Sequence, residues 1–560
     1  MAIAKWEPGE ADWSLASRRF VDERVLLYPA MAVVFLLLLT FVFYPILQVI
    51  HRSVAGPEGL SLANYVLYFS NPRISRTVLH SLFVSSLSTV VTVSIAFVFA
   101  YALTRTTIPG KTLLHTLAML PLVAPSLVQA LALIYLFGRN GLVTARLLGV
   151  EWNIYGWHGI VLSEIFYCIP HALIILFTTL SAVDTRLDEA AQSLGAGAWR
   201  TFWTVTVPSA KYGLLSASFL VFNLVITDFG NPKVIGGDYN VLATEIYNQV
   251  SGQQNLSMGS TISVILMIPA VCAFLLDFLI RQRDYALITG QARPFLRPSR
   301  PATTWAFSGF CWLICAGMVL VYVTIITASF VRLWGYDFTP TLKHYRFESV
   351  GGYGVLWTSL EIAAVAGLAG GVLSLLVAYI VEKKRPTGAR FLYLLSIIPA
   401  AIPGTVLGLA YIFAFNRPGV TFYGTIWILA ICNVFHYFTL GVLAGISNLK
   451  QIDRSVEEAA VSLGAGVFMT FRRVVFPLTR VAFFSSAMYF FMTSMVTISA
   501  VIFLYAPDTK TAAIGVLLLD DAGDSGQAAA MSTLIIAIVL AALASLRLLL
   551  GKEGFRMIKA

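Results

Sequence analysis

Charge is what this sequence has least of. Only 12% of its 560 residues are Asp, Glu, Lys or Arg, against roughly 25% in a soluble globular chain. Cysteine is also scarce. The five (Cys168, Cys272, Cys311, Cys315 and Cys432) lie in or beside apolar runs, and no CxxC occurs. That excludes a disulfide framework and a thiolate metal site, and leaves small buried hydrophobes. The seven histidines have no metal-ligand spacing. A phosphate-binding loop is missing: Gly110-Lys111-Thr112 comes nearest, but Arg105 stands where the motif needs its first glycine. No catalytic constellation is present, so the chain is not expected to hydrolyse ATP, to act as an enzyme or to need a cofactor. Residues 1–25 mix acids and bases without an apolar core, which excludes a cleavable signal peptide.

What is present is hydrocarbon. The chain is 58% hydrophobic, with continuous apolar runs near the length that crosses a bilayer. In lipid every backbone polar group must bond internally, which leaves helices or closed barrels. Barrel strands would be short and alternating, so the expected fold is all-α and polytopic. Twelve spans are read at 26–50, 77–104, 113–138, 158–182, 209–231, 259–280, 305–331, 356–381, 391–415, 423–447, 481–505 and 527–550. With the N-terminus in the cytoplasm, 27 of the 38 Lys and Arg fall on the inner side, as the positive-inside bias requires. Both termini are then cytoplasmic. The same bias accounts for the net charge of +10 without a nucleic-acid partner.

A stretch dense in proline and arginine, Arg281 to Pro301, reads as a solvated connector. It divides the chain into a first transmembrane domain (1–290), a cytoplasmic linker (291–304) and a second domain (305–560). The two domains repeat. Leu62-x-Asn64-Tyr65 answers Leu342-x-His344-Tyr345, and His80-Ser81-Leu82 answers Thr358-Ser359-Leu360. Ala100-Tyr101 answers Ala378-Tyr379, Gly110 answers Gly388, and Pro121 with Pro125 answers Pro399 with Pro403. The last of these keep an offset of 278 residues, which falls to 269 further on. Six spans per repeat is an even number, so the repeats share one orientation, with a pathway between them.

The deepest repeat is a polar island between apolar segments. Glu189-Ala190-Ala191-Gln192-Ser193-Leu194-Gly195 recurs as Glu458-Ala459-Ala460-Val461-Ser462-Leu463-Gly464, and each runs on to a proline, Pro208 or Pro477. Leu187, Ala190, Ala191 and Leu194 share one helical face, as do Val456, Ala459, Ala460 and Leu463. Asp188 and Glu189, or Glu457 and Glu458, suit the positive end of a helix dipole. Gly195 and Gly464 suit its left-handed stop. Trp199, Phe202 and Trp203, or Phe468 and Phe471, follow as a bulky apolar surface. Such a face either lies on lipid or fits a partner's groove, and the matched duplication favours a partner.

This pattern resembles the EAA motif of permease subunits in binding-protein-dependent ABC importers, over nearly the whole chain and twice. The resemblance implies that the islands are coupling helices contacting two copies of a cytoplasmic ABC ATPase. The coupling residues would be Asp188, Glu189, Ala190, Ala191, Gly195, Glu457, Glu458, Ala459, Ala460 and Gly464. It also implies an extracytoplasmic solute-binding protein and residence in a bacterial inner membrane. Fused permeases of this length resemble ferric-iron and 2-aminoethylphosphonate importers. The stretches Tyr101–Arg105, Pro121–Leu127, Ile226–Gly237 and Asn240–Thr244 resemble the 2-aminoethylphosphonate type, with ferric iron as the alternative.

Polar groups inside spans are costly and mark candidate function. Asp228 ends a span where Gly230 and Pro232 break the helix, and its counterpart is Thr497, near Ser499. Glu164 shares a span with His171, and its counterpart is Asn433. Glu164, Asp228, Asn433, Thr497 and Ser499 are therefore candidate pathway residues, with local caps and helix-packing networks as the other reading. An ion-coupled secondary transporter would also fit twelve spans in parallel repeats, but has no need of duplicated islands.

Overall fold

The computed structural model describes residues 13–56, 59–150, 152–183, 186–284, 301–419 and 422–558. It is an all-α polytopic bundle of two repeats. Among the described residues nine helices are long and apolar enough to cross a membrane, or up to twelve if each of three bent helix pairs is one span. Its only sheets, among the described residues, are two short hairpins, Ala55–Gly56 with Gly59–Leu60 and Val331–Leu333 with Asp337–Pro340. One follows the first span of each half.

The bends lie where the sequence interrupts the helical hydrogen bonds. In the second half, Ala389–Ala401 and Gly404–Phe415 meet at 108°. Pro399 and Pro403 flank the break, where proline lacks the N–H that a continuous helix needs. The first half breaks at the matching place: helix Lys111–Ala118, a 3-10 turn Leu120–Val123, then helix Leu127–Phe137. The run expected at 113–138 is therefore not one straight span. The expected edges at 231 and 505 are too late, since the helices stop at Thr227 and Val496. The span expected from 305 starts at Pro301, so residues 301–304 of the expected linker are helical. Its other residues, 291–300, lie outside the described ones.

The repeats match down to single hydrogen bonds. The Tyr65 hydroxyl donates to Ser53 Oγ at 2.9 Å, and the Tyr345 hydroxyl lies 2.9 Å from Ser329 Oγ. Each tyrosine ties the loop after span one back to that span. The halves also clasp each other. Span one of the first half packs on the third span of the second, and the reverse contact is made by Pro301–Phe330. Phe41 meets Phe415 at 5.5 Å, and the Gln129 side chain lies 3.1 Å from the Tyr322 hydroxyl.

Packing inside each half is compensated by volume. Phe490 is fully buried, and a Cβ on either Gly370 or Gly441 would stand within 2.6–2.7 Å of its ring. The first-half positions are Val221, Thr92 and Ala172: a smaller residue replaces phenylalanine and larger ones replace both glycines. Small residues that let helices approach are the usual means of packing spans in lipid. Gly370→Thr should therefore cost about 1–3 kcal/mol by overpacking, and Phe490→Val added to it should restore most of that loss. Thermal unfolding in detergent measures both.

Candidate functional site

The islands form one end of the bundle. Their helices are Arg186–Ser193 and Arg454–Ser462. Both stop as their glycines dictate. Gly195 and Gly464 have φ of +79° and +88°, and the next amides bond back to Ala191 and Ala460 at 2.9 and 3.0 Å. That six-to-one bond with a left-handed glycine is the Schellman stop. Asp453 accepts from the Ser455 amide at 2.9 Å before the second helix, and this bond holds its carboxyl below the usual range.

Leu194 and Leu463 are 88% and 89% exposed, with Trp199, Trp203 and Phe468 also largely bare. Glu189, Ala190, Glu458 and Ala459 are exposed beside them, whereas Ala191 is half-buried and Ala460 buried. Glu457 belongs to the second helix, and its side chain lies outside the described residues. Asp188 departs from the expected docking face. It turns inward and pairs with Arg105 at 3.4 Å, both largely buried. One residue along a helix is about 100° of rotation, enough to send Asp188 inward while Leu187 faces out.

The second feature lies at the seam between the halves. Asp228 and Thr497 terminate equivalent helices with nearly the same extended backbone, ψ of 136° and 141°. Asp228 accepts from Ser126 Oγ and from the Asn231 amide, each at 2.9 Å. Glu164 lies beside it, fully buried, with Oε1 lacking a hydrogen-bond partner of good geometry. The hydroxyls of Tyr167 and Tyr437 are within electrostatic reach of Asp228. Tyr437 belongs to the second half and donates to Thr497 Oγ1 at 3.0 Å. Glu164, Asp228 and Thr497 thus come together across the seam. Asn433 is fully buried with its amide unbonded. His171, on the same span as Glu164, packs against Tyr167.

Ser499, a candidate pathway residue, is half-buried and packs on Gly404. A Cβ on Gly404 would run into Ser499 Oγ, and one on Gly230 would run into Ser126 Oγ. Ser126 and Gly404 are equivalent positions, as are Gly230 and Ser499. The serine–glycine contact is kept in both halves with its members exchanged. Only in the first half does the serine hydroxyl meet an acid. Ser126, Tyr167, Asn231 and Tyr437 escaped the sequence reading. The signal for Ser126 was its position after Pro125 at a break, while the tyrosines carried no signal among 23.

A twofold-repeated bundle, with a matching island on each half and a polar break between them, defines a membrane transport permease. The profile of the family described as "binding-protein-dependent transport system inner membrane component" matches twice, at residues 93–284 and 370–552, and the chain belongs to that family. The ferric transport system permease protein FbpB of Actinobacillus pleuropneumoniae is 30% identical over 550 residues, 95% of this chain and 79% of that protein. A putative ferric transport system permease of Haemophilus influenzae is 30% identical over 516 residues, 89% of this chain and 81% of its own. The molybdenum transport system permease protein ModB of Escherichia coli is 31% identical over 209 residues, 36% of this chain but 91% of its own length. A whole permease of that kind thus corresponds to less than half of this chain.

Proposed function

We propose that this chain is the translocation pathway of an ABC importer for 2-aminoethylphosphonate in a bacterial inner membrane. The island end and both termini face the cytoplasm, where each island receives one copy of an ATPase. An extracytoplasmic solute-binding protein delivers solute at the far end. Closure of the two ATPases draws the islands together and opens the halves outward, an alternating access of packed bundles.

The observation that carries the solute reading is the acid pair, Glu164 with Asp228, set at the seam by the first half alone. Buried acids are either paired with a cation or neutralised by a proton, and an ammonium group passing the pair can take the place of that proton. The amine of a zwitterion would lead past this point, and its phosphonate would trail toward cationic groups such as Lys233. The residue stretches around Asp228 that resemble aminophosphonate permeases support the same choice. Ferric iron is the second reading. It is favoured by the names of the two relatives, and by tyrosine oxygens near two carboxylates, which suit a hard cation.

Proteoliposomes holding the permease, its ATPase and the cognate binding protein test this. ATP-dependent uptake of labelled 2-aminoethylphosphonate, with none of ferric iron, is the expected result. The reverse would transfer the assignment to iron. Uptake without ATPase that collapses under an ionophore would replace the importer by an ion-coupled carrier.

A further inference from the structure

The second span of each half is tied at both ends to the parts that must move together. At the island end of the first half, Arg105 Nη1 pairs with Asp188 of the island, and Nη2 reaches the carbonyls of Leu180 and Val183 at 3.2 and 3.4 Å. Four residues earlier, Tyr101 stacks edge-on against Phe202 at 5.6 Å, in the segment following the island helix. The second half does the same with other residues. Lys383 Nζ donates to the Ile452 carbonyl at 2.6 Å, and Tyr379 packs on Phe471 at 5.1 Å. Lys383 is equivalent to Arg105, and Ile452 to Val183.

At the far end, Ser81 Oγ accepts from the Leu242 amide at 2.8 Å, and Ser359 Oγ accepts from the Ala512 amide at 2.7 Å. These amides open the short helices Leu242–Tyr247 and Ala512–Asp521. Both helices cross the seam. Tyr247 meets Phe229, next to Asp228, and also Phe503 of the other half. Asp521 pairs with Lys233 of the first half at 3.2 Å. From serine to basic residue is 24 positions in both halves, about 36 Å of helix at ~1.5 Å per residue.

We propose that span two, Pro72–Arg105 and Gly354–Lys384, is a transmission rod. It carries displacement of the island to the short helix that shapes the far mouth of the pathway. Arg105, Lys383, Ser81 and Ser359 are its positioning residues. A rigid helix bonded to a mobile element at each end is a contiguous physical link of the kind that coupling requires. The charges at its island end are largely buried in the first half, so releasing them would leave an unpaired buried group. The inference rests on the islands being ATPase docks.

The test uses the complete permease, its ATPase and its binding protein in proteoliposomes. Four variants are compared: Arg105→Ala with Lys383→Ala, Ser81→Ala with Ser359→Ala, all four together, and Arg105→Lys. The island faces are untouched, so the ATPase should still co-purify with each variant and still hydrolyse ATP. Solute moved per ATP hydrolysed should fall roughly tenfold in either double variant, within the range of ordinary coupling free energies. The quadruple variant should be little worse than either, because one rod is cut twice. Arg105→Lys should transport normally, since lysine already serves in the second half. Normal transport per ATP in both double variants would overturn the rod and leave the docking intact. Lost ATPase association in the Arg105/Lys383 variant, unrelieved by Arg105→Lys, would reduce the clamp to scaffolding of the dock and also overturn it. A failure of the docking premise looks different: the unaltered permease would then retain no ATPase, and the rod would fall with it.

Discussion

Reversing Glu189 and Glu458 to lysine together is expected to abolish ATPase association, and with it all ATP-driven uptake. Both carboxylates are exposed on the island helices. Glu189 lies in the first turn of its helix, where reversal costs about 0.3–1 kcal/mol against the dipole, and Glu458 lies at the middle of its own, where the dipole cost is smaller. That is too little to unfold a bundle held by its membrane spans. The loss at the interface is larger. If the islands dock as proposed, each reversal would place an ammonium where a partner's groove would accommodate a carboxylate, and a mismatched charge in a docking face costs about 2–5 kcal/mol. Because each island receives its own ATPase copy, the double variant would leave no intact dock on the chain. Co-purification of the ATPase with the double variant would sink the docking reading. Either single variant should weaken association without abolishing it, because one intact island remains.

Asp228→Asn is expected to lower uptake roughly tenfold without loss of folded protein, a transition-state cost of about 1.4 kcal/mol. The amide can keep the local structure. Its oxygen can still accept from the Asn231 amide, and its NH2 can donate to Ser126, so the helix end at Thr227 is preserved. What disappears is the second acid beside Glu164. Thr497→Val at the equivalent break should disturb uptake far less, since it removes only the hydroxyl that accepts from Tyr437. Uptake kinetics in the reconstituted system, with gel filtration to verify folding, separate the two. Unchanged uptake by Asp228→Asn would return that residue to a capping role.

The polytopic helical fold of nine to twelve spans, the repeat and the two islands could be read in the sequence because each rests on a local rule. Apolar length fixes a span, glycine fixes the end of an island helix, and equal offsets expose a repeat. Gly195 and Gly464 behave as their sequence requires. The edge expected at 231 overruns Asp228, Gly230 and Asn231, where the helix has already stopped at Thr227; the edge expected at 505 is late because Ile498 and Val501–Tyr505 remain apolar while the backbone has left the helix at Val496. Hydropathy does not register that change. Asp188 illustrates a second kind of gap. Its place in the sequence matches that of a docking residue, and only Arg105, 83 positions away, reveals that it faces the bundle. Tyr437 at the seam is of the same kind, since its proximity to Asp228 depends on how two distant halves assemble.

The exchanged serine and glycine have a consequence for the number of charges this pathway can hold. Two identical subunits around a symmetry axis receive every substitution twice. An acid near that axis would always face its own copy, and the charge there could change only by even steps. Joining the halves in one chain removes that restriction. Ser126 can support Asp228 on one side while Gly404 and Ser499 fill the same space on the other without an acid. Glu164 can likewise face a half that has Asn433 in its place. The pathway can then be tuned one charge at a time, and a solute with unlike ends can meet unlike walls.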